Sequence, residues 1–539
     1  MKRNIPGIGW ASRLKAVFVM VLAVGSLAIV GPSWAATKTV RAVMHAPLRI
    51  LDPVTTTAYI TRDYGYMVYD TLVAMDENFE VRPQMADWKV SPDNLVYTFT
   101  LRDGLLWHDG TPVTAEDCIA SLERWRQRDS MGQKLFSYIS SITATTPKVI
   151  TITMKEPVGF VLQALGKPSS LVPFMMPKRI ASTPATTAIT ESIGSGPFKF
   201  VKEEFQPGVK AVFVKNEKYV PRSEKSSWAA GGKAVKVDRV EWVVVPDAQT
   251  AINALTSGEI DYIDEPQIDL LKLLEGEKSV VIGNPNPYGL QVVGRMNFLN
   301  PPFDNVKVRR AAMLALKQEN FLAAIAGDSK FYKVCGAMFV CGTPLATDVG
   351  SETLVKGGGM AEAKKVLKES GYDGTPIRII HPTDVNTQKT QPVIAMQLLK
   401  EAGFKVELIT LDWQAALGMR NNQKPASEGG WNMFFSAWGG ADVSNPLTSP
   451  TLNATGKNGS AWAGWPEDAD IEALRDKFGR AKTPEERKAI AVDLQRLAYE
   501  RVIYVPLGQL ATPAAWSAKL KNVPAGPASP YFWGVEKAD

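Results

Sequence analysis

From residue 94 the stretch "NLVYTFTLRDGLLWHDGTPVTAED" sets Leu95, Tyr97, Phe99 and Leu101 on one face against Val96, Thr98 and Thr100 on the other. This is the period-two alternation of a half-buried strand. The dipeptides Asp103-Gly104 and Asp109-Gly110 predict turns, and Thr114 three residues before Asp117 predicts a capped helix over "CIASLERW". "KVITITMKEP", "GSGPFKF", "KAVFVKNEKY" and "VDRVEWVVVPD" continue as strands, and "AQTAINALTSGEID" reads as a helix with Gly258 near its end.

The Pro/Gly/Asn run "GNPNPYGL" then breaks the pattern, so a second unit is predicted from about residue 290. It opens with the strand "QVVGRMNF" and a helical periodicity from Val308. Helix "AEAKKVLKESGY", stopped by Gly371, precedes strand "IRIIHP", helix "QPVIAMQLLKEAG", strand "KVELITLD" and helix "QAALGMRN". That alternation is βαβ-like and implies parallel pairing. Two helices follow, the second opened by Thr483, Pro484 and Glu486, and "IYVPLGQLATPAAW" is strand-like. The fold class is therefore α/β with mixed sheets.

The first 35 residues differ from the rest. Lys2, Arg3, Arg13 and Lys15 precede the apolar run "AVFVMVLAVGSLAIV", and "PSWAA" offers small residues for cleavage. This is the layout of a secretory signal peptide; the run falls short of the roughly 20 residues of a spanning helix. Losing those four cations lowers the net charge of the 539-residue chain from +6 to +2. A nearly neutral remainder gives no footprint for nucleic acid. Of three cysteines, Cys335 and Cys341 in "CGAMFVC" are spaced to close a small disulfide loop in an oxidising compartment, and Cys118 in a helical pattern is expected to be a buried thiol.

"WHDGTPVTAED" puts one of only three histidines beside three acids. Turn chemistry accounts for Asp109, a helix N-terminus for Glu116 and Asp117, and strand packing for His108. With His45, His108 and His381 scattered, and no GxSxG, HExxH or P-loop pattern, neither a hydrolase nor a metal or cofactor site is expected.

"ILDPV", the long block from "YDTLVAMDENFEVRPQMADW" to "CIASLERW", "GSGPFKF", "ALTSGEIDY", "NPPFDNVKVRRAAMLAL" and "FSAWGGADVSNP" occur in the order found in extracytoplasmic solute-binding proteins. The mature chain resembles the family 5 class of these, the dipeptide, oligopeptide and nickel-binding proteins of ABC importers. The resemblance implies a two-lobed periplasmic-binding-protein-like fold (type II, cluster C) with a hinge. Lobe I would comprise 36–289 and 506–539, and lobe II 290–505. It further implies a periplasmic monomer that closes on a small-molecule or short-peptide ligand and presents it to permease subunits in the inner membrane.

In the peptide-binding relatives an acid in a W-T-G-D loop holds the ammonium, and an arginine after a strand holds the carboxylate. Here the loop reads Trp438, Gly439, Gly440, Ala441, Asp442, with the acid one place late, and the arginine's counterpart is His381. Both peptide clamps are altered, which favours a non-peptide organic solute, such as an organic or aromatic acid, over a dipeptide or oligopeptide. Arg295, with Asn297 on its strand face, is a substitute carboxylate partner or a surface arginine paired to a neighbour. His381 is a hydrogen-bonding ligand contact or a packed histidine. Ser436, Ala437, Trp438, Gly440, Asp442 and Trp462 are expected around the pocket, with Tyr59 as the contribution of lobe I.

Overall fold

The computed structural model describes residues 37–538 apart from 460, 482 and 528, and the expected signal peptide lies outside them. Strand Thr39–Val43 pairs in parallel on both sides, with Arg239–Val243 and Tyr262–Ile263. Antiparallel additions on either flank make a seven-stranded mixed sheet among the described residues, running from Val280–Gly283 to Phe198–Phe200. Alternate residues Val40, Ala42, Val240 and Trp242 point into a core rich in aromatic side chains. Against it lies helix Tyr59–Val68, buried along nearly its whole length, with Tyr64 edge-on to Phe200 at 5.4 Å between ring centroids.

A four-stranded antiparallel sheet carries the alternating stretch as strand Val96–Leu101, with Tyr97, Phe99 and Leu101 buried. Helix Ala115–Trp125 begins with the predicted capping box between Thr114 and Asp117. His108 accepts from the Gly194 N–H (3.3 Å) and donates to the Gly196 carbonyl (3.2 Å), and burial lowers its pKa to about 4. The 107–117 stretch is scaffold. Asp52 of "ILDPV" is 1% exposed and receives both terminal nitrogens of Arg124 (3.0 and 2.7 Å) and the backbone N–H groups of Val54 and Ile189. Such a fully paired buried charge costs several kcal/mol to break; it pins the loop that carries Thr57 and leads into the helix at Tyr59.

The second lobe is a six-stranded sheet. Its inner strands Leu290–Met296 and Met433–Gly439 are packed on both faces. Strands Ile377–Pro382 and Val406–Leu411 run parallel, joined by helix Gln391–Ala402, which ends on Gly403 at φ +106°. This is the predicted βαβ unit. Helix Pro484–Arg501 starts at the Thr483/Glu486 capping box, and Cys335 and Cys341 form a disulfide. Cys118 is a buried thiol whose pKa burial pushes up.

The chain passes between the two larger sheets twice, from Gly283 to Leu290 and from Leu510 to Ala514. Residues 506–510, expected in the first lobe, lie in the second: strand Val505–Leu510 pairs along Leu290–Met296, with Leu290 opposite Leu510. Gly289 holds φ +59°, and a Cβ there would stand 2.1 Å from the Leu510 carbonyl oxygen. Asn286 Nδ2 donates to the Gly289 carbonyl (3.1 Å) and to Thr512 Oγ1 (3.2 Å), tying the two connections together.

Candidate functional site

Strand Met433–Gly439 of the second lobe runs toward the first and turns there. Gly440 permits the turn, since a Cβ would come within 2.7 Å of Tyr288, and its N–H donates to the Gly289 carbonyl (2.9 Å). The single helical turn Gly440–Val443 then buries Asp442. From the first lobe, the Tyr59 hydroxyl donates to Asp442 and accepts from the Gly439 N–H at 2.5 Å. The Tyr59 ring meets Trp438 edge-on (centroids 6.1 Å apart), and the Arg62 guanidinium stacks over it at 4.0 Å. Burial raises the pKa of Asp442 against the opposing pull of Arg62 and of the Tyr59 hydrogen bond. Burial and the Asp442 charge both raise that of Tyr59.

Beside this contact lies a cavity of about 60 Å³ lined from the first lobe by His45, Thr57, Tyr59 and Glu265 and from the second by Gln388, Trp413, Arg420, Ser436, Ala437 and Trp438. Two larger chambers adjoin it. One, about 640 Å³, shares His45 and Glu265 and reaches Thr383 and Lys389 of the second lobe. The other, about 430 Å³, shares Thr57, Leu417 and Arg420 and is walled by Trp462 and Trp465.

Among the described residues, the small cavity is flanked by a balanced cluster of charges on one side and a lone cation on the other. In the cluster, His45 Nδ1 lies 2.8 Å from Asp264 and 3.9 Å from Asp63. Burial pulls its pKa down, but the Asp264 hydrogen bond and the fields of Asp264, Glu265 and Asp63 raise it to about 9. Glu265 is pushed up to about 7 by burial, with His45 resisting and Asp264 and Asp63 adding to the rise. Ligand atoms of His45, Asp63 and Asp264 converge within 4.8 Å, yet Arg62 pairs with Asp63 at 2.8 Å and His45 holds its proton, so the group is charge-balanced without a metal. On the other side Arg420, 8% exposed, donates to Thr57 Oγ1 at 2.6 Å, and burial lowers its pKa to about 10.

Of the residues predicted from sequence, Tyr59, Ser436, Ala437 and Trp438 line the small cavity, and Trp462 lines the 430 Å³ chamber, with its ring 5.1 Å from that of Trp438. Gly440 and Asp442 lie behind Tyr59, shaping the wall. Arg295 is elsewhere: wholly buried, it donates to the carbonyls of Ala463, Thr451, Ile503 and Trp462 (2.8–3.2 Å), because its strand is internal and both faces meet protein. It is neither a surface arginine nor a cavity residue. Asn297 is likewise engaged, donating to the Trp431 carbonyl (2.9 Å) and accepting from Leu299 N–H (3.1 Å). The His381 ring bonds the Lys389 carbonyl at 3.0 Å, on the flank of the cavity rather than in its lining. Arg420, Glu265, Thr57, Gln388 and Trp413 were not anticipated: Arg420 ends the expected helix "QAALGMRN" and Glu265 lies in the polar run "IDEPQ", and nothing local marks either as facing a cavity.

Residues 80–461 match the family described as bacterial extracellular solute-binding proteins, family 5. The Probable peptide ABC transporter periplasmic-binding protein y4tO of Sinorhizobium fredii is 39% identical over 96% of this chain and 97% of its own. Among solved structures, AgaA of A. tumefaciens R10 in complex with agropinic acid superposes with TM-score 0.78 at 22% identity, covering 93% of this chain and 99% of its own. The dipeptide-binding protein of Pseudoalteromonas sp. SM9913 in complex with Met-Leu gives TM-score 0.77 at 18% identity, covering 93% and 100%. A two-lobed α/β body, a cavity walled from both lobes and a match across most of its length place the molecule: the chain belongs to family 5 of the bacterial extracellular solute-binding proteins, the non-enzymatic substrate-binding components of ABC importers.

Proposed function

We propose that the protein captures a small non-peptide organic solute between its lobes in the periplasm and delivers it, chemically unchanged, to an inner-membrane permease. In this reading residues 1–35 are removed on export, the remainder is a monomer, and the lobes turn about the paired connections at 284–289 and 511–513. The observation that carries the choice of cargo is the Tyr59 hydroxyl on Asp442. The acid available for a peptide's ammonium is already engaged, and Ala441 stands where the resemblance places that acid. His381, at the place of the carboxylate clamp, is held by the Lys389 carbonyl. The flanking chambers of about 430 and 640 Å³ are of a size suited to a small solute, within the roughly 300–1,000 Å³ usual for ligand sites.

A peptide cargo is the second reading, favoured by the name of the 39% identical relative. The test is a thermal-shift and calorimetric screen of the purified protein against free dipeptides, tripeptides, opines and simple organic acids. A ligand that binds only the native state raises Tm. The proposal expects the rise with organic acids or opines and none with free peptides; the reverse pattern selects the peptide reading.

A further inference from the structure

Six arginines are buried among the described residues, and five are compensated by protein groups. Arg62 pairs with Asp63, Arg124 with Asp52 and Arg475 with Glu472. Arg295 and Arg309 each donate to several backbone carbonyls. Arg420 is the exception. Among the described residues it meets no carboxylate, and its one hydrogen bond is to Thr57 Oγ1. The rings of Phe434 and Trp462 lie 5.9 and 5.4 Å from its guanidinium carbon. A guanidinium has five N–H donors in a planar fork, and an uncompensated buried charge is strongly unfavourable.

The position of Arg420 gives that deficit a meaning. It lines both the 60 Å³ cavity and the 430 Å³ chamber, at the neck between them. The indole Nε1 atoms of Trp438 and Trp462, one residue on each side of that neck, are also buried without an acceptor. Two unpartnered indole N–H groups and a guanidinium with a single protein hydrogen bond thus stand about this neck, while the other buried guanidiniums among the described residues pair with a carboxylate or with several carbonyls. We infer that Arg420 seats a carboxylate, or a planar anion of like geometry, carried by the transported solute, with the Trp438 and Trp462 indoles as neighbouring donors to its oxygen-rich body. The fork matches two carboxylate oxygens, and the Phe434 and Trp462 rings flank it. This rests on the reading that a solute is enclosed between the lobes. It adds the chemical group that the site selects.

Sodium formate is the simplest probe, compared with sodium chloride at equal ionic strength. Formate is expected to raise Tm of the purified protein by several degrees and to leave Arg420→Met unmoved, with Arg420→Lys in between. The absence of a formate effect in the wild type, or an equal rise in Arg420→Met, overturns the inference. A second arm uses any compound that binds in the screen, paired with its amide. Amidation should weaken binding at least tenfold in the wild type and make no difference in Arg420→Met; equal binding of acid and amide in the wild type counts against the inference and leaves solute capture intact. A free peptide that binds, and loses affinity on C-terminal amidation only when Arg420 is present, supports the anion seat while overturning the non-peptide reading.

Discussion

Tyr59 and Asp442, 383 positions apart in the chain, are joined by a hydrogen bond from a hydroxyl of the first lobe to a buried carboxylate of the second. The same oxygen accepts the Gly439 N–H, so one side chain fastens the turn that ends the cavity-lining strand. Tyr59→Phe keeps the ring against Trp438 and removes both bonds. The cost of stranding buried polar groups is about 1–3 kcal/mol, paid by the closed form alone. The expected result is a larger radius of gyration in solution scattering of the cargo-free variant. An unchanged profile would argue that the bond does not hold the lobes together.

His45 makes stability depend on alkaline pH. Its proton is held more tightly in the folded protein, to about 9, than in the unfolded chain near 6.5. The stabilisation is fully present below 6.5 and disappears as pH rises through 9. The shift corresponds to roughly 3 kcal/mol. Glu265 acts in a lower window, losing its contribution as pH climbs from 4.5 to about 7, so urea midpoints between pH 7 and 9 isolate the histidine. His45→Gln should flatten the fall over that interval; a slope retained in the variant would assign it to other groups.

Two buried arginines should respond in opposite directions to the same change. Arg295→Met strands the carbonyls of residues 451, 462, 463 and 503 that it now serves, and should lower unfolding stability by about 3 kcal/mol. Arg420→Met removes a cation with no carboxylate partner and should leave the Tm of the empty protein unchanged or higher. Thermal unfolding of both variants without ligand checks the contrast.

Reducing the Cys335–Cys341 bond reopens a small ring with a sequence separation of 6. For a loop this short the entropic contribution is about 2 kcal/mol. A Cys335→Ala, Cys341→Ala double variant should show that loss in denaturant unfolding, and added reductant should then have no further effect.

The elements were legible wherever local chemistry specifies them: both capping boxes, the Gly258 helix end, and the Pro/Gly/Asn run before Leu290. The site was legible only in part. The "FSAWGGAD" loop announced itself by glycines beside large aromatics, and Ser436, Ala437 and Trp438 do line the cavity. Arg295 and Asn297 misled because alternation identifies a cavity-facing side only when the other side faces something different, and this strand is enclosed all round. Arg420 left no trace: it caps a seven-residue helix in a polar run, and its burial is created by Thr57 from a distant segment. Long-range burial of a charge is a tertiary property with no local pattern.

Asn286 grips both connectors with a single carboxamide, bonding Gly289 on one and Thr512 on the other. Two ribbons laced side by side resist sliding and twisting against each other, and leave bending across their common width as the soft direction. Such a joint would behave like a door rather than a ball and socket, and in the proposed capture cycle the cargo would leave through the same gap by which it entered.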